Sequence, residues 1–183
     1  KNTIIKVKNE GNRLIINSEN SVFELNSLSA EEFPKFVPLD KENSFELNVE
    51  QIKKIFTKTK FAISSEETRY YLNGVYFHTI KIDEKNILKA VATDGHRLAK
   101  TELVIASSIE IEGIILPRKF ILQLDKILGD FEGKIKIVCS ETQVSFEADN
   151  FVIISKLIDG KFPDYEKVIP ISNDKFLEVE SEP

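Results

Sequence analysis

Methionine and tryptophan are absent from this 183-residue chain; cysteine occurs once, histidine twice, proline six times and glycine seven. The lone Cys139 has no partner for an internal disulfide, which fits a reducing, cytoplasmic setting. It also excludes zinc or iron–sulfur sites built on cysteines. His78 and His96 are the only imidazoles, one short of a three-histidine catalytic zinc site. There is no glycine-rich phosphate loop and no GxSxG nucleophile motif, which argues against nucleotide hydrolysis and serine esterase chemistry. No apolar run approaches the ~18–20 residues that a membrane helix requires, and no signal-peptide pattern opens the chain. With no methionine even at position 1, the chain is expected to be a piece of a longer protein.

What is present is the balance of a soluble globular protein: 42% hydrophobic and 30% charged residues, enough for one full domain with pieces of its neighbours. Lys and Arg total 25 against 30 Asp and Glu, a net charge of −5. Proteins that grip nucleic acid by bulk attraction are usually basic. A nucleic-acid role here therefore needs cations concentrated on one surface, or retention by something other than affinity.

Lys1–Lys8, Arg13–Asn17 and Val22–Asn26 read as strands, with Asn9–Asn12 as the first turn. Residues 31–43 carry Pro34 and Pro38 without periodicity and read as a linker. Asn48 followed by Gln51 is a capping-box pattern. Ile52, Ile55, Phe56, Thr59 and Ile63 then recur at helical spacing, opposite Lys53, Lys54, Lys58 and Lys60. Strand-like runs follow over Gly74–Ile82, Ile87–Ala92 and Leu98–Val104, with Asp83–Asn86 as a turn, and then Gly113–Leu116. A second helix is predicted from Pro117, with Phe120, Ile121, Leu124, Ile127 and Leu128 as its buried stripe and Gly129 as its cap. Lys134–Cys139, Gln143–Ala148 and Phe151–Lys156 read as three more strands; Ile135, Ile137 and Cys139 alternate, as do Val144, Phe146 and Ala148, the period of a half-buried sheet. An offset of 69 positions lays Leu47 on Leu116, Ile52 on Ile121 and Ile55 on Leu124. This points to an α+β fold of duplicated helix-plus-antiparallel-sheet modules, with two helices on one side of the sheet layer.

Three polar segments invite chemistry. In Ala92–Leu98, Asp94 and His96 form either an acid–base or metal pair, or a tight turn with Gly95 at an unusual φ and Asp94 bonded to the backbone. In Arg69–Gly74, Arg69, Tyr70 and Tyr71 are either a half-buried approach to a strand or a loop presenting a cation and two rings to phosphates and bases. Arg118 and Lys119 oppose the dipole of the second helix, which an anionic partner would explain and solvation would tolerate.

Ala92-Thr93-Asp94-Gly95-His96-Arg97-Leu98-Ala99, Arg69-Tyr70-Tyr71-Leu72-Asn73-Gly74 and Phe162-Pro163-Asp164-Tyr165 together resemble the β sliding clamps of bacterial DNA polymerase III. The resemblance implies the end of a first clamp domain over residues 1–40, a complete second domain over 44–170 and the start of a third over 171–183. It implies a processivity factor with the DNA-clamp fold, not an enzyme: a head-to-tail homodimeric ring around double-stranded DNA, bound without sequence specificity, needing no metal or cofactor, and nucleoid-associated. Arg69, Tyr70, Tyr71, Lys53, Lys54, Arg118 and Lys119 would contact DNA. Leu72, Thr93, Gly95, His96, Arg97, Leu98, Pro163, Lys167 and Val168 would form the groove that takes short linear motifs of the polymerase catalytic subunit, the clamp loader and repair proteins. Val22 stands where the family often carries arginine and Glu66 where glutamine is familiar; Lys167 replaces a common arginine and its planar bidentate donors. Two rival readings are a β-rich peptide-binding adaptor with no DNA role and a metal-dependent hydrolase centred on Asp94 and His96.

Overall fold

A computed structural model of the chain describes residues 4–33, 39, 44–175 and 178. The chain divides into two compact units, Lys1–Pro38 and Leu39–Pro183.

The first unit is an antiparallel meander of β1 (Lys6–Glu10), β2 (Arg13–Ser18) and β3 (Ser21–Asn26) in the order β1-β2-β3. Its first turn is tighter than Asn9–Asn12, because Asn9 and Glu10 still pair with Leu14 and Arg13. Val22 is 66% exposed on β3. A short 3-10 turn covers Ala30–Glu32. Most of the expected linker 31–43, both its prolines included, lies outside the described residues, as does the Lys1–Thr3 start of the expected first strand.

The second unit begins with β4 (Ser44–Asn48), which leads into α1 (Val49–Thr59). The Asn48 N–H donates to Gln51 Oε1 at 2.9 Å, the reciprocal arm of the predicted capping box. Ile52, Ile55, Phe56 and Thr59 are buried. The helix stops at Thr59, whose buried hydroxyl donates back to the Ile55 carbonyl at 2.8 Å. Ile63 is therefore buried beyond the helix and not on it. Next come β5 (Gly74–Ile82), β6 (Lys85–Thr93) and β7 (Leu98–Ile105). Only Asp83 and Glu84 form the β5–β6 turn, both at positive φ (46° and 65°), while Lys85 and Asn86 already pair with Ile82 and Lys81.

The second module repeats the pattern: β8 (Ile114–Pro117), α2 (Arg118–Ile127), β9 (Lys134–Cys139), β10 (Gln143–Ala148) and β11 (Phe151–Lys156). Pro117 ends β8 and is the N-cap of α2, one position before the helical start expected of it. Leu128 caps the other end; Gly129 lies beyond it and does not take the positive φ of a glycine cap. Ile127 is 46% exposed. At ~100° per residue it falls about 20° outside the arc that Phe120, Ile121, Leu124 and Leu128 turn inward.

The sheets are ordered β11-β10-β9-β4 and β7-β6-β5-β8. Each module's leading strand has crossed into the other module's sheet: β4 pairs with β9, and β8 with β5. The periodicity did not reveal β4, whose apolar Phe45 and Leu47 span too little chain for a clear alternation. Both sheets and the apolar faces of both helices share one core, which includes Leu47, Phe56, Phe77, Leu116, Leu124 and Phe146. The helices lie side by side in opposite directions: Lys53, early in α1, donates to the Gly129 carbonyl beyond α2 at 3.1 Å, and Lys60 pairs with Asp125 at 2.5 Å.

Candidate functional site

The two modules match in their elements and differ in their connections. The helix-to-strand link is residues 60–73 in the first module and only 128–133 in the second; the last hairpin is 94–97 against Asp149–Asn150. Both longer loops belong to the first module, and both contribute to one hollow.

On sheet β7-β6-β5-β8, Val75, Phe77, Leu88, Ala90 and Ala92 point to the main core. The alternate residues point the other way. Val91 and Ile115 on that outer face pack with Leu72, Phe162 and Tyr165 into a second apolar cluster, flanked by Tyr71, Tyr76, Leu98 and Ile158. The chain after β11 covers this face: the Ile158 N–H donates to the Ile115 carbonyl at 3.0 Å, and Phe162 stacks on Tyr76 with centroids 4.8 Å apart and planes 2° from parallel. Between this covering segment and the two long loops lies a hollow of about 470 Å³, lined by Arg69, Tyr71, Leu72, Thr93, Gly95, His96, Arg97, Leu98, Pro163, Asp164, Tyr165 and Val168.

Eight of the nine groove positions expected from the sequence thus meet in one concavity. Lys167 does not: its side chain is 81% exposed and pairs with Asp164 at 2.9 Å. Tyr165 and Asp164 are lining residues that the sequence reading missed; Tyr165 in the Phe162–Tyr165 segment was readable as an apolar anchor three positions from Phe162.

Asp94 is committed to its loop. Its Oδ1 accepts the N–H groups of His96 and Arg97, both at 3.0 Å, and its Oδ2 accepts Arg97 Nε at 3.0 Å. Thr93 Oγ1 accepts from the Gly95 N–H at 3.1 Å and donates to the Arg97 carbonyl at 2.8 Å. Gly95 sits at φ +89°, and a Cβ there would fall 2.6 Å from Arg69 Nη1. Of the two readings of Asp94 and His96, the geometry is therefore that of the tight turn, with Asp94 bonded to the backbone and Gly95 at positive φ, and the turn presents His96, Arg97 and Leu98. Among the described residues no group of three or more His, Cys, Asp or Glu side chains is placed to hold a metal ion.

These donors, the two backbone N–H groups foremost, lower the Asp94 carboxyl from its usual range to about 2. Because the folded value is depressed, the stability this group contributes is present above the ordinary carboxylate pKa and is lost as pH falls through about 2. A carbon-detected NMR titration is expected to give Asp94 a midpoint near 2, with the His96 and Arg97 amides losing exchange protection over the same interval; a midpoint in the ordinary range would remove the turn role.

Arg69 also lies in the hollow, in a fork with Glu66: Nε to Oε2 at 2.8 Å and Nη2 to Oε1 at 2.6 Å. The hydrogen bond from Arg69 lowers the Glu66 carboxyl below the usual range. Arg69 and Tyr71, expected in a loop that contacts DNA, both line the hollow as well. Tyr70, 53% exposed and edge-on to Tyr71 with centroids 5.8 Å apart, remains on the surface.

The other expected cations divide. Lys54, Arg118 and Lys119 are not buried, nor are Lys58 and Lys126. Arg118, Lys119 and Lys126 border a second hollow with Ser64, Ser65 and Gln123, where the start of α2 meets the chain leaving α1. Lys53 is held instead, between the Gly129 carbonyl and Glu50.

The family described as DNA polymerase III beta subunit, central domain, matches residues 46–164. A Beta sliding clamp of Salmonella typhimurium is 36% identical over 175 residues, covering 96% of this chain and 47% of its own length. One of Caulobacter vibrioides is 39% identical over 171 residues, 93% of this chain and 46% of its own. Among solved structures, the DnaN sliding clamp of Bartonella birtlesii bound to griselimycin superposes with a TM-score of 0.83 at 40% identity, over 94% of this chain and 46% of that one. A Caulobacter crescentus polymerase III β structure gives 0.82 at 38%, over 94% and 48%. The chain spans about half the length of the curated relatives it matches.

Proposed function

The chain belongs to the family of DNA polymerase III beta subunits, the bacterial β sliding clamps, and on that premise we propose that it forms part of a ring-shaped processivity factor that encloses duplex DNA. The ring is a head-to-tail homodimer of subunits longer than this chain. It makes and breaks no bond itself: it is an accessory subunit that holds a polymerase at its template.

The observation that carries this reading is the pair of antiparallel helices with solvent-facing cations, Lys54 and Lys58 on α1 and Arg118, Lys119 and Lys126 on α2, in a chain of net charge −5. Cations along two adjacent helices can touch phosphates without reading bases. Net acidity is compatible with this, because a closed ring is retained by linkage and not by equilibrium affinity.

In the intact protein, Lys54→Ala, Arg118→Ala and Lys119→Ala together are expected to flatten the salt dependence of DNA binding, by about one unit of slope for each phosphate left without its cation. Lys53→Ala is expected to add less, its ammonium being held by Gly129. A slope equal to that of the unaltered protein would remove these residues from the DNA surface. Retention on nicked circular DNA that disappears on linearisation is the companion result; release from both alike would favour an adaptor that binds peptide only.

The hollow of Leu72, Thr93, Gly95–Leu98, Pro163 and Val168 is the docking groove for short linear motifs of the polymerase catalytic subunit, the clamp loader and repair proteins. An apolar floor with a rim of His96 and Arg97 is what a peptide anchor needs: burial for affinity and donors for orientation.

A further inference from the structure

We propose that Lys89 and His78, which do not line the hollow, are positioning residues that fix one of its walls from the outer face of the sheet. The inference rests on reading the hollow as a peptide groove, and it identifies what holds that groove open.

The wall is the segment 162–168, which supplies Pro163, Asp164, Tyr165 and Val168. Little in its own backbone holds it. It contains no strand, only one short 3-10 turn over Tyr165–Val168, and the backbone bonds that tie it to the sheets come earlier, at Leu157 to Thr142 and Ile158 to Ile115. A segment with so few backbone bonds is positioned by its side chains.

Those side chains descend onto alternate residues of β5 and β6. Phe162 stacks on Tyr76. The Tyr165 hydroxyl lies 2.9 Å from His78 Nε2 and 3.4 Å from Glu166 Oε1. Glu166 Oε1 accepts from Lys89 Nζ at 3.0 Å. His78 and Lys89 are themselves cross-strand partners.

The decisive feature is the burial of Lys89. Its side chain is 9% exposed, while that of Glu166 is 63% exposed. A covered ammonium without a close partner is strongly destabilising. Its second carboxylate, Glu102, is 3.9 Å away and already bonded to Lys100 at 3.0 Å. Lys89 therefore needs Glu166 far more than the exposed Glu166 needs Lys89, and that demand draws the 3-10 turn onto the sheet. Tyr165 sits next to Glu166 in the chain, so the pull that satisfies Lys89 also seats Tyr165 on His78 and aims Val168 into the hollow.

The test uses the intact protein, a fluorescein-labelled synthetic peptide carrying the linear motif of the polymerase catalytic subunit, and native-state amide exchange. Lys89→Met, which keeps the apolar stem, and Glu166→Gln are each expected to weaken peptide binding about tenfold and to speed exchange in 162–168, while the amides of Ile52–Phe56 stay protected. The double variant is expected to lose no more than either single one, since both cut the same link. His78→Phe should give the smaller loss of the neutral hydrogen bond to Tyr165. Unchanged exchange in 162–168 in both Lys89→Met and Glu166→Gln overturns the proposal, whatever the peptide does. Additive losses in the double variant overturn it as well. If the unaltered protein binds no peptide, the groove reading fails, and the exchange comparison still decides whether Lys89 pins the wall. If Lys89→Met fails to fold, the exposed Glu166→Gln carries the test alone.

Discussion

Leu98→Asp combined with His96→Ala is expected to abolish binding of a clamp-binding peptide, raising Kd at least ~100-fold, while the protein stays folded. Leu98 opens β7 on the outer face of its sheet, packed against the second apolar cluster and facing the hollow. A carboxylate there meets Leu72 and Val168 across the concavity and would stay solvated only by keeping an apolar ligand out. A factor of ~100 is about 2.7 kcal/mol, within the range of a central anchor position in an interface. His96, exposed on the rim, adds its missing donor. The fold should survive because neither residue belongs to the main core and the Asp94 bonds that shape the loop use the His96 backbone N–H, which alanine keeps. Fluorescence polarisation reads the affinity and thermal melting the fold; a Kd within twofold of the unaltered protein at an unchanged melting point would remove Leu98 from the groove floor.

Gly74→Ala should cause the largest loss of stability. A Cβ at this position would lie 2.2 Å from the Leu116 carbonyl oxygen and 2.9 Å from Ile115 Cγ2. A side chain can swing aside, but the carbonyl is part of β8, held by the Gly74–Pro117 and Val75–Leu116 pairs. Relief requires prising β8 from β5, and β8 runs directly into α2, whose first N–H, that of Arg118, donates to the Asn73 carbonyl at 2.9 Å. Overpacking with backbone displacement costs about 3 kcal/mol or more, or a melting-temperature drop of roughly 6–12 °C for a unit of this size. Gly129→Ala is the contrast: its nearest neighbour would be the Lys126 carbonyl at 3.2 Å, at ordinary φ, so a change of at most a few tenths of a kcal/mol is expected. Equal melting points for the two variants would refute the close approach at Gly74.

The parts of this architecture legible in the sequence are those written in local periodicity. The runs Gly74–Ile82, Lys134–Cys139, Gln143–Ala148 and Phe151–Lys156 were readable to the residue: Lys134–Cys139 and Gln143–Ala148 from apolar residues at every second position, the other two from β-branched and aromatic residues bounded by turn residues. The duplication was legible as well, through the 69-residue offset that superposes the starts of both helices. The exchange of β4 and β8 was not, since nothing in a strand's own residues says which distant edge it joins. Groove residues were legible from the motifs that carry the family resemblance. The exclusion of Lys167, the tethering of Lys53 by Gly129 and the placement of Arg69 in the hollow depend on pairing in space that no spacing encodes.

The exchanged strands also govern how this protein can be made. Ser44 pairs with Val138, 94 positions later, and Asn48 with Lys134. On a ribosome adding ~5–20 residues per second, β4 must wait about 5–19 s for its partner to emerge. Through that interval Phe45 and Leu47 are exposed on an unpaired edge that any neighbouring nascent chain can reach. Neither half can close its sheet alone, so the unit is expected to fold late and all at once, with a chaperone's shelter mattering most before residue 138 has cleared the exit tunnel.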